Sequence, residues 1–488
     1  MPSLMHAPVL IVVVLLLAAF VTPLMGKREG AVKVVFLGAG LVALVLAFSM
    51  TVQVLTHGTL SYPVGGWPAP YGIVVLVDVF AAYSSLVLAT VALLISWFAA
   101  FGPREVRHNS AYFTLILLLT AAMQGMVMAG DIFNLFVFIE ISSLAAIAII
   151  AIKGTKESVE ASFRYLVLSA LGSGGLLFSI ALIFMITGHL NMDYIRATLT
   201  VTAAQYPLNL LTSIGLMVVG FGVKAALFPM HVWLPDAHSN APTASSALLS
   251  GLVVKVYIIA LMRIAYLALG LEIFELLPVR HLFLALSTGA LIVGSVFAMV
   301  QDNVKRLLAF STVAQVGYIF LGFGLFSQRA IEGGVLHILN HAVMKSLLFL
   351  TAGVIIHQSG IKRLSQFGGL GRKMPLTFAA FSIGALSMVG IPGTAGFISK
   401  LYLALGALDA DMLIFAVLIL ISSLLNAAYY FPIIISAFFG KDNAAEASDP
   451  SPAVLAPIAV LAFMVFFFGL FPSLVVPLVR QTALLFVR

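Results

Sequence analysis

Four lysines lie inside strongly apolar stretches of the sequence, where they could carry charge across a membrane. They are Lys224, Lys255, Lys345 and Lys400. An ammonium group that faces lipid costs roughly 2.5–3.5 kcal/mol by insertion scales, so four would cost on the order of 10 kcal/mol. We therefore expect all four to face a polar protein interior. Snorkelling to the headgroups is the alternative, and it fits Lys224 least because that residue lies well inside its segment.

One acidic residue, Glu140, has a similar apolar setting in the stretch Phe136-Val-Phe-Ile-Glu-Ile-Ser142. A nearby carboxylate stabilises the protonated form of a buried amine, whereas loss of hydration destabilises it. A carboxylate that moves toward or away from a lysine would therefore switch that lysine between holding and releasing a proton. A structural salt bridge requires the same geometry, so both interpretations stay open.

A stripe of titratable residues is expected on one helix. His337, His341 and Lys345 are spaced at i, i+4 and i+8, which places them on one face over roughly 12 Å. Such a series is typical of a proton relay. A histidine pair can also bind a metal in His-Glu-x-x-His proteases, but Ile338 replaces the required glutamate, so no metal site is predicted. Packing of hydrogen-bonded histidines is the remaining alternative.

Two apolar segments contain helix-breaking residues close to Lys224 and Lys400. The breaks are expected at Pro229, Pro235, Pro392 and Gly393. Proline removes a backbone donor and glycine weakens a helix. A broken helix at membrane depth is tolerated only where it is buried in protein or lines a wet cavity. The lysines and the breaks together indicate an ion path.

The composition predicts a polytopic membrane protein: 62% of residues are hydrophobic, 9% are charged, and the mean hydropathy is +1.15. The absence of cysteine excludes disulfides, thiolate metal sites and iron–sulfur ligation in this chain. No cofactor or metal is predicted, so any redox centre is expected in a partner. The net charge of +7 is located mostly in short loops, which indicates membrane orientation rather than nucleic-acid binding.

About fourteen spans are predicted, each near the roughly 20 residues that a bilayer requires. They lie near 5–26, 32–56, 73–101, 110–129, 131–152, 162–187, 208–230, 243–268, 281–300, 304–326, 331–356, 376–408, 411–438 and 453–475.

The spans are grouped by the two breaks. We predict an N-terminal three-helix segment (1–109), two five-helix repeats (110–268 and 279–438) and a C-terminal helix (453–488). Interrupted segments at corresponding positions of two halves are typical of transporters. The fourth helix of each repeat contains the break. Because five is an odd number of crossings, the two repeats must be inverted relative to each other.

Basic loop residues predict the orientation. Most of them, including Arg104, Lys153 and Lys305, fall on one side of the membrane, and fewer, including Arg196 and Arg263, fall on the other. By the positive-inside rule the first side is cytoplasmic. We therefore expect a multi-pass protein of the inner or plasma membrane with both termini outside the cytoplasm.

Four motifs follow one another along the chain: Gly130–Glu140, Val223–His238, Asn340–Phe349 and Gly396–Lys400. Together they resemble the antiporter-like subunits shared by Mrp-type cation/proton antiporters, respiratory complex I and membrane-bound hydrogenases. The resemblance runs from about residue 70 to 440, and the stretch Gly65–Gly72 is most similar to the Mrp D-type branch.

The resemblance implies roles for the residues named above. Glu140 becomes the partner of Lys224, and Lys255 the next relay site. Lys400 becomes the terminal lysine of the second half-channel. His337 and His341, with Lys345 one turn further on, match the central histidines of some members.

The resemblance also implies a function: a proton-translocating subunit coupled to a larger Mrp-type or energy-converting oxidoreductase complex, similar to NADH:quinone oxidoreductase or hydrogenase. Its partners would be other membrane subunits, the lipid bilayer and protons, with sodium as a further candidate. A self-sufficient sodium/proton antiporter and an assembly scaffold with purely structural charges are the alternatives.

Overall fold

Long apolar helices form almost the whole fold. The structure, a computed structural model, describes residues 6–26, 28–270, 273, 277–441 and 446–486. The predicted segments 1–109 and 453–488 therefore start or end with a few residues outside the described ranges. The helices of the first part are α1 (Ala7–Leu24), α2 (Glu29–His57), α3 (Val79–Phe101), α4 (Asn109–Met128), α5 (Ile132–Ala151), α6 (Lys156–Thr187), α7 (Met192–Thr202), α8 (Pro207–Lys224), α9 (Leu234–Asn240) and α10 (Thr243–Leu269).

The second part follows the same pattern of long helices and short connections. Its helices are α11 (Val279–Met299), α12 (Val304–Gly324), α13 (Gln328–Ser359), α14 (Leu370–Lys373), α15 (Pro375–Val389), α16 (Ala395–Asp409), α17 (Leu413–Phe439), α18 (Pro452–Leu470) and α19 (Val476–Leu484).

The predicted number of crossings is confirmed. Among the described residues, thirteen helices are long and apolar enough to cross a membrane. The pair α15 and α16, with 15 residues each, supplies one more crossing that is interrupted in its middle. α7 has 11 residues and is too short to cross. The chain is therefore an all-α polytopic membrane protein with about fourteen crossings.

A small β-hairpin is a local addition to the all-α prediction. Strand β1 (Leu60–Pro63) pairs antiparallel with β2 (Val74–Val77), with Leu60 opposite Val77. Valines at three of the four β2 positions favour a strand. The Asp78 carboxylate then accepts a hydrogen bond from the Ala81 N–H (2.8 Å) and begins α3. The predicted span 73–101 therefore starts six residues later than expected.

Two short backbone bridges support the predicted repeat. Asp131 pairs with Asn191, and Asn303 pairs with Arg363, each as an isolated antiparallel bridge. Each bridge joins the start of the second helix of a five-helix unit to the chain that follows the third helix. The hydrogen bonds, from N to O, are Ile132 to Leu190 (2.9 Å) and Met192 to Gly130 (3.0 Å) in the first unit, and Val304 to Lys362 (3.1 Å) and Leu364 to Asp302 (2.6 Å) in the second. The two units thus share this local connection although its side chains differ; the repeat boundaries 110–268 and 279–438 stay a prediction.

The first predicted break follows Lys224 directly. α8 ends at Lys224, and the chain continues without regular helix, through Pro229, to the start of α9 at Leu234. Pro235 is a correction to the prediction, because it lies in the first turn of α9, where its missing N–H would be unpaired anyway. It marks the point where the helix resumes.

The second predicted break separates α15 from α16 and contains Pro392 and Gly393. Gly390 (φ +94°) and Gly393 (φ +86°) adopt backbone conformations that other L-residues rarely reach. The glycines therefore permit the turn that stops α15 at membrane depth.

Helix α13 forms the centre of the fold and is buried along its whole membrane window. It contacts α3, α10, α12, α15, α16, α18 and α19. α10 is nearly as buried and is irregular, with π-helical turns at Leu249–Val253 and Ile264–Leu269. Polar residues on these two helices therefore face protein rather than lipid.

Candidate functional site

The Lys224 ammonium lies in a compact polar pocket at the end of α8, and the side chain is fully buried. It donates hydrogen bonds to the hydroxyls of Ser143 (2.6 Å), Ser173 (2.7 Å) and Ser169 (2.8 Å). Its fourth contact is Glu140 Oε1 at 3.4 Å, and the Ser173 hydroxyl also donates to that carboxylate. The expected pairing of Glu140 with Lys224 is present in the structure.

Helical spacing explains how the pocket is built. Glu140 and Ser143 are three residues apart on α5, and Ser169 and Ser173 are four residues apart on α6. Residues three or four apart share one helix face. Two polar faces therefore meet around the end of α8. We did not predict the three serines, although their spacing within apolar helices was a usable signal.

The Lys400 ammonium is held differently, at the other break. It donates to the carbonyl oxygens of Met388 (2.7 Å) and Val389 (3.1 Å), which are the last residues of α15, and to Ser423 Oγ (3.1 Å). The ammonium also lies 4.8 Å from the centre of the Tyr318 ring. Cations are favourable at helix C-termini because unpaired carbonyls point there. The end of α15 at the second break thus creates the site, because it leaves these two carbonyl oxygens free to bind the ammonium.

The two predicted histidines lie next to this site and are fully buried. His337 Nδ1 is 2.9 Å from Ser399 Oγ, and its Nε2 is 3.0 Å from Gln315 Oε1. The rings of His337 and His341 stack with centroids 5.7 Å apart. Within the part of the chain that the structure describes, neither ring nitrogen of His341 has a protein hydrogen-bond partner.

Lys345 and Lys255 continue the series beyond His341. Lys345 donates to the Leu308 carbonyl (2.7 Å) and to the Ser311 hydroxyl. Lys255 donates to the Ser250 carbonyl, which belongs to the irregular part of α10. Both lysines are buried and lie within electrostatic range of each other and of His341. The structure therefore brings these three predicted residues into one cluster with His337 and Lys400.

Helix α10 separates this cluster from Lys224. Lys255 and Tyr257 are two residues apart and point to opposite sides of the helix. The Tyr257 hydroxyl lies 3.1 Å from Ser142 Oγ and 3.3 Å from Ser143 Oγ, beside Lys224. Lys255 lies on the other side, near Lys345. The seven predicted residues thus form two clusters on either side of α10, and Tyr257 is a residue that we missed.

A second buried ion pair was also missed. Arg263, expected among the loop charges, is fully buried within α10. Its guanidinium lies 3.0 Å from Asp78 Oδ2, and the Tyr266 hydroxyl donates to the same oxygen at 2.5 Å. Arg263 also donates to the Leu76 carbonyl (3.0 Å). This pair ties α10 to the hairpin and is a structural clamp rather than part of either cluster.

Residues from several loops meet at the opposite end of α10. Lys153 Nζ lies 2.8 Å from Glu105, whose other oxygen accepts from the Thr243 N–H at 2.9 Å. Lys305 donates to the Ala241 carbonyl (3.1 Å). Burial raises the pKa of Glu105, but the ammonium groups of Lys305 and Lys153 and the hydrogen bonds outweigh it and lower that pKa to about 2. The loops that contain Lys153 and Lys305, which the sequence predicts on the same side of the membrane, therefore lie together at one end of the helices.

Amines, imidazoles, hydroxyls and one carboxylate make up both clusters. These groups bind and release protons or donate and accept hydrogen bonds. The arrangement suits the passage of protons between fixed positions better than bond-making chemistry on an organic substrate.

Comparison with protein families gives a match over residues 129–426 to the family described as NADH:quinone oxidoreductase/Mrp antiporter, membrane region. The match contains both breaks and all seven predicted relay residues.

Individual relatives agree with this match over nearly the whole chain. The sequence is 36% identical to the N-type subunit of NADH-quinone oxidoreductase from Desulforudis audaxviator, covering 98% of each chain. It is 30% identical to the D-type subunit of the Na⁺/H⁺ antiporter from Bacillus subtilis, covering 97% of this chain and 96% of the relative.

A solved structure shows the same fold. A chain of the membrane-bound sulfane sulfur reductase, an archaeal respiratory membrane complex, superimposes with a TM-score of 0.91 at 33% identity. The superposition covers 99% of this chain and 98% of that one.

Proposed function

Because this chain belongs to the NADH:quinone oxidoreductase/Mrp antiporter family, we propose that it moves protons across the membrane through its buried glutamate, lysines and histidines, as one subunit of a larger complex. The chain is an antiporter-like, multi-pass membrane subunit. The proposal adds the path within the chain and the coupling to partners.

The contact between Glu140 and Lys224 carries the proposal. Burial disfavours the charge of this amine, whereas the carboxylate and the three hydroxyls beside it favour the protonated form. Displacement of the carboxylate would leave a buried cation without its counter-charge, which is strongly unfavourable. Movement of Glu140 therefore gives Lys224 a physical reason to release its proton.

The released proton would pass α10 to reach the second cluster. The serine and tyrosine hydroxyls beside Lys224 extend toward α10, and Lys255 lies on the other face. From Lys255 the path continues through Lys345, His341 and His337 to Lys400. Among the described residues, no protein group is hydrogen-bonded to the ring nitrogens of His341. Buried polar groups normally bond to protein or to ordered water, so we expect water at His341 to link it to the path.

The charges of the path favour protons over sodium. The two clusters contain four amines and one carboxylate, Glu140. Protonated amines repel a metal cation, whereas they exchange protons readily. We therefore propose that sodium, if the assembled complex moves it, crosses elsewhere.

Membership of a complex is supported by Glu140 itself. Its side chain is 37% exposed in the isolated chain, although it lies in a membrane-spanning helix. A carboxylate facing lipid is costly, so a neighbouring membrane subunit is expected to cover it. The driving reaction, redox or ion exchange, would take place in such partners. We further propose that both termini lie outside the cytoplasm, as the loop charges predict.

The test is Lys224→Met in the assembled complex, reconstituted in vesicles with a pH-sensitive dye. We expect proton translocation to fall to background, while the partners' driving reaction continues or slows. Lys156→Met, an exposed lysine at the start of α6, is the matched control and keeps wild-type translocation. Translocation at the wild-type level in Lys224→Met would leave the charges with a structural role only.

A second measurement separates the proposal from the self-sufficient antiporter. The purified chain alone is placed in liposomes under a sodium gradient. We expect no proton movement coupled to sodium, and robust exchange by the chain alone would favour that alternative.

A further inference from the structure

Two adjoining cavities lie at the membrane surface where α2 begins, α3 ends and α4 begins. Their volumes are about 200 Å³ and 300 Å³, and both are lined by Lys33 and Asn109. They lie on the same side as the Glu105 and Lys153 cluster, since Glu105 lines the smaller cavity. The larger cavity alone exceeds the space that a phosphate group requires.

The cavity lining is positively charged. Lys33, Arg104 and Arg107 contribute three cations. The nearby carboxylates are already engaged, since Glu29 pairs with Arg104 at 2.6 Å and Glu105 pairs with Lys153. Neither Lys33 nor Arg107 has an ion-pair partner within the described ranges. The Lys33 ammonium lies 5.0 Å from the centre of the Phe101 ring, a contact that leaves its charge unneutralised, so two basic groups remain available for an anion.

The first turn of α4 adds to this positive field. Asn109 and Ser110 open a 20-residue helix and line the larger cavity. No side chain caps that N-terminus, and no acidic residue lies in its first turn. Free backbone N–H groups at a helix N-terminus are favourable partners for a phosphate oxygen.

The outer face of α2, opposite the face that lines the cavities, is apolar and faces the membrane. Val34, Leu41, Val45 and Phe48 on α2 are between 54% and 72% exposed. Their spacing of 7, 11 and 14 residues places them on one helix face over roughly 21 Å. The lipid-facing part of α2 therefore begins at the level of Lys33, which places the cavities at the depth of the lipid headgroups.

We propose that these cavities bind the headgroup of an anionic phospholipid, with Lys33 and Arg107 as its cationic partners. Basic pockets between membrane helices are suited to such headgroups. Charge complementarity, and the position of the cavities at the ends of three membrane-spanning helices, favour a lipid headgroup over a free phosphate ion. The site is independent of the proton path and of the function proposed above.

The test uses native mass spectrometry of the full-length chain, extracted from membranes and titrated with phosphatidylglycerol or phosphatidylcholine. The double variant Lys33→Gln with Arg107→Gln is expected to retain phosphatidylglycerol about tenfold more weakly than the wild type. Lys33→Arg with Arg107→Lys keeps both charges and retains it. Lys156→Gln, on the same membrane side but outside the cavities, also leaves retention unchanged. Phosphatidylcholine is retained weakly by every variant.

Three results would overturn the proposal. Equal retention of phosphatidylglycerol by the double variant and the wild type would remove the site. Displacement of the lipid by millimolar inorganic phosphate would assign the cavities to a free anion. Cross-linking of Lys33 to an acidic segment of a neighbouring subunit in the assembled complex would show that protein occupies them.

Discussion

The two interrupted helices hold their lysines by different means. Lys224 is paired with the carboxylate of Glu140 and three serine hydroxyls, whereas Lys400 is held by two backbone carbonyls at the end of α15. A side-chain carboxylate can rotate away from the ammonium. The carbonyls of a helix end are fixed by the fold and carry only partial charge. The Lys224 site can therefore change its affinity for a proton by a local movement of Glu140. The Lys400 site stabilises a cation more weakly and does not change.

The difference suggests a division of labour within the proposed path. The Glu140 and Lys224 pair would control when a proton is released, and Lys400 would receive or deliver protons according to the charges of its neighbours. His337 lies within electrostatic range of Lys400. A proton on either group disfavours a proton on the other.

The variants with the largest expected effect on translocation test whether both lysines must release protons. Lys224→Arg and Lys400→Arg each keep a positive charge but replace the amine with a guanidinium that does not deprotonate in proteins. We expect both variants to assemble and to lose proton translocation to background, measured by dye quenching in vesicles. Translocation retained in Lys400→Arg alone would make Lys400 a fixed charge and end the path before α16.

The next effect compares the partners of the two lysines. Glu140→Gln removes the carboxylate that contacts Lys224, and we expect translocation to fall more than about tenfold. Ser423→Ala removes one of three hydrogen-bond acceptors of Lys400. Its effect should stay below about fivefold, as expected for one hydrogen bond of roughly 1 kcal/mol. Similar losses in the two variants, in the same vesicle assay, would contradict the proposed division.

A smaller effect concerns the backbone of each break. Gly390 has φ +94°, and a Cβ there would lie 3.1 Å from Lys400 Cδ. Gly390→Ala should cost about 1–2 kcal/mol of unfolding free energy. Ala226 in the first break has φ +53°, so Ala226→Gly relieves strain while adding chain entropy and should change stability by less than about 1 kcal/mol. Unfolding of the purified variants in denaturing detergent measures both, and a large loss in Ala226→Gly would show that this side chain packs rather than strains.

Most of the charged residues of the two clusters and the positions of both breaks could be predicted from the sequence, because a charged side chain within a membrane must face protein or water. Lys224, Glu140 and the histidine stripe stand out against apolar neighbours, and the prolines and glycines locate the breaks. The partners of the lysines were harder to predict. Ser143, Ser169 and the carbonyls of α15 are ordinary groups, and only the packing of helices distant in sequence brings them to an ammonium.

Two errors have the same origin. Arg263 was placed in a loop because it lies near the end of an apolar segment, and its pairing with Asp78 depends on a hairpin that the hydropathy pattern does not reveal. Pro235 was assigned to the break because proline ends helices, whereas here it begins one. In both cases the residue type indicated that a helix boundary was near. Tertiary contacts then placed the residue inside the helix rather than outside it.

The smallest expected effect tests whether the two units are true structural equivalents. Asp131 and Asn303 occupy matching bridges, and each caps the second helix of its unit by accepting two backbone N–H bonds. The caps have different charges but the same geometry. Asp131→Ala and Asn303→Ala should therefore each cost about 1 kcal/mol, measured as unfolding free energy of the purified chain. Asp131→Asn and Asn303→Asp, which exchange the two cap residues, should be nearly neutral because both types cap well. If one alanine variant kept the wild-type free energy of unfolding and the other lost stability, the two bridges would be only a similarity of loop geometry. The two lysine sites could then not be compared as equivalent positions of a structural repeat.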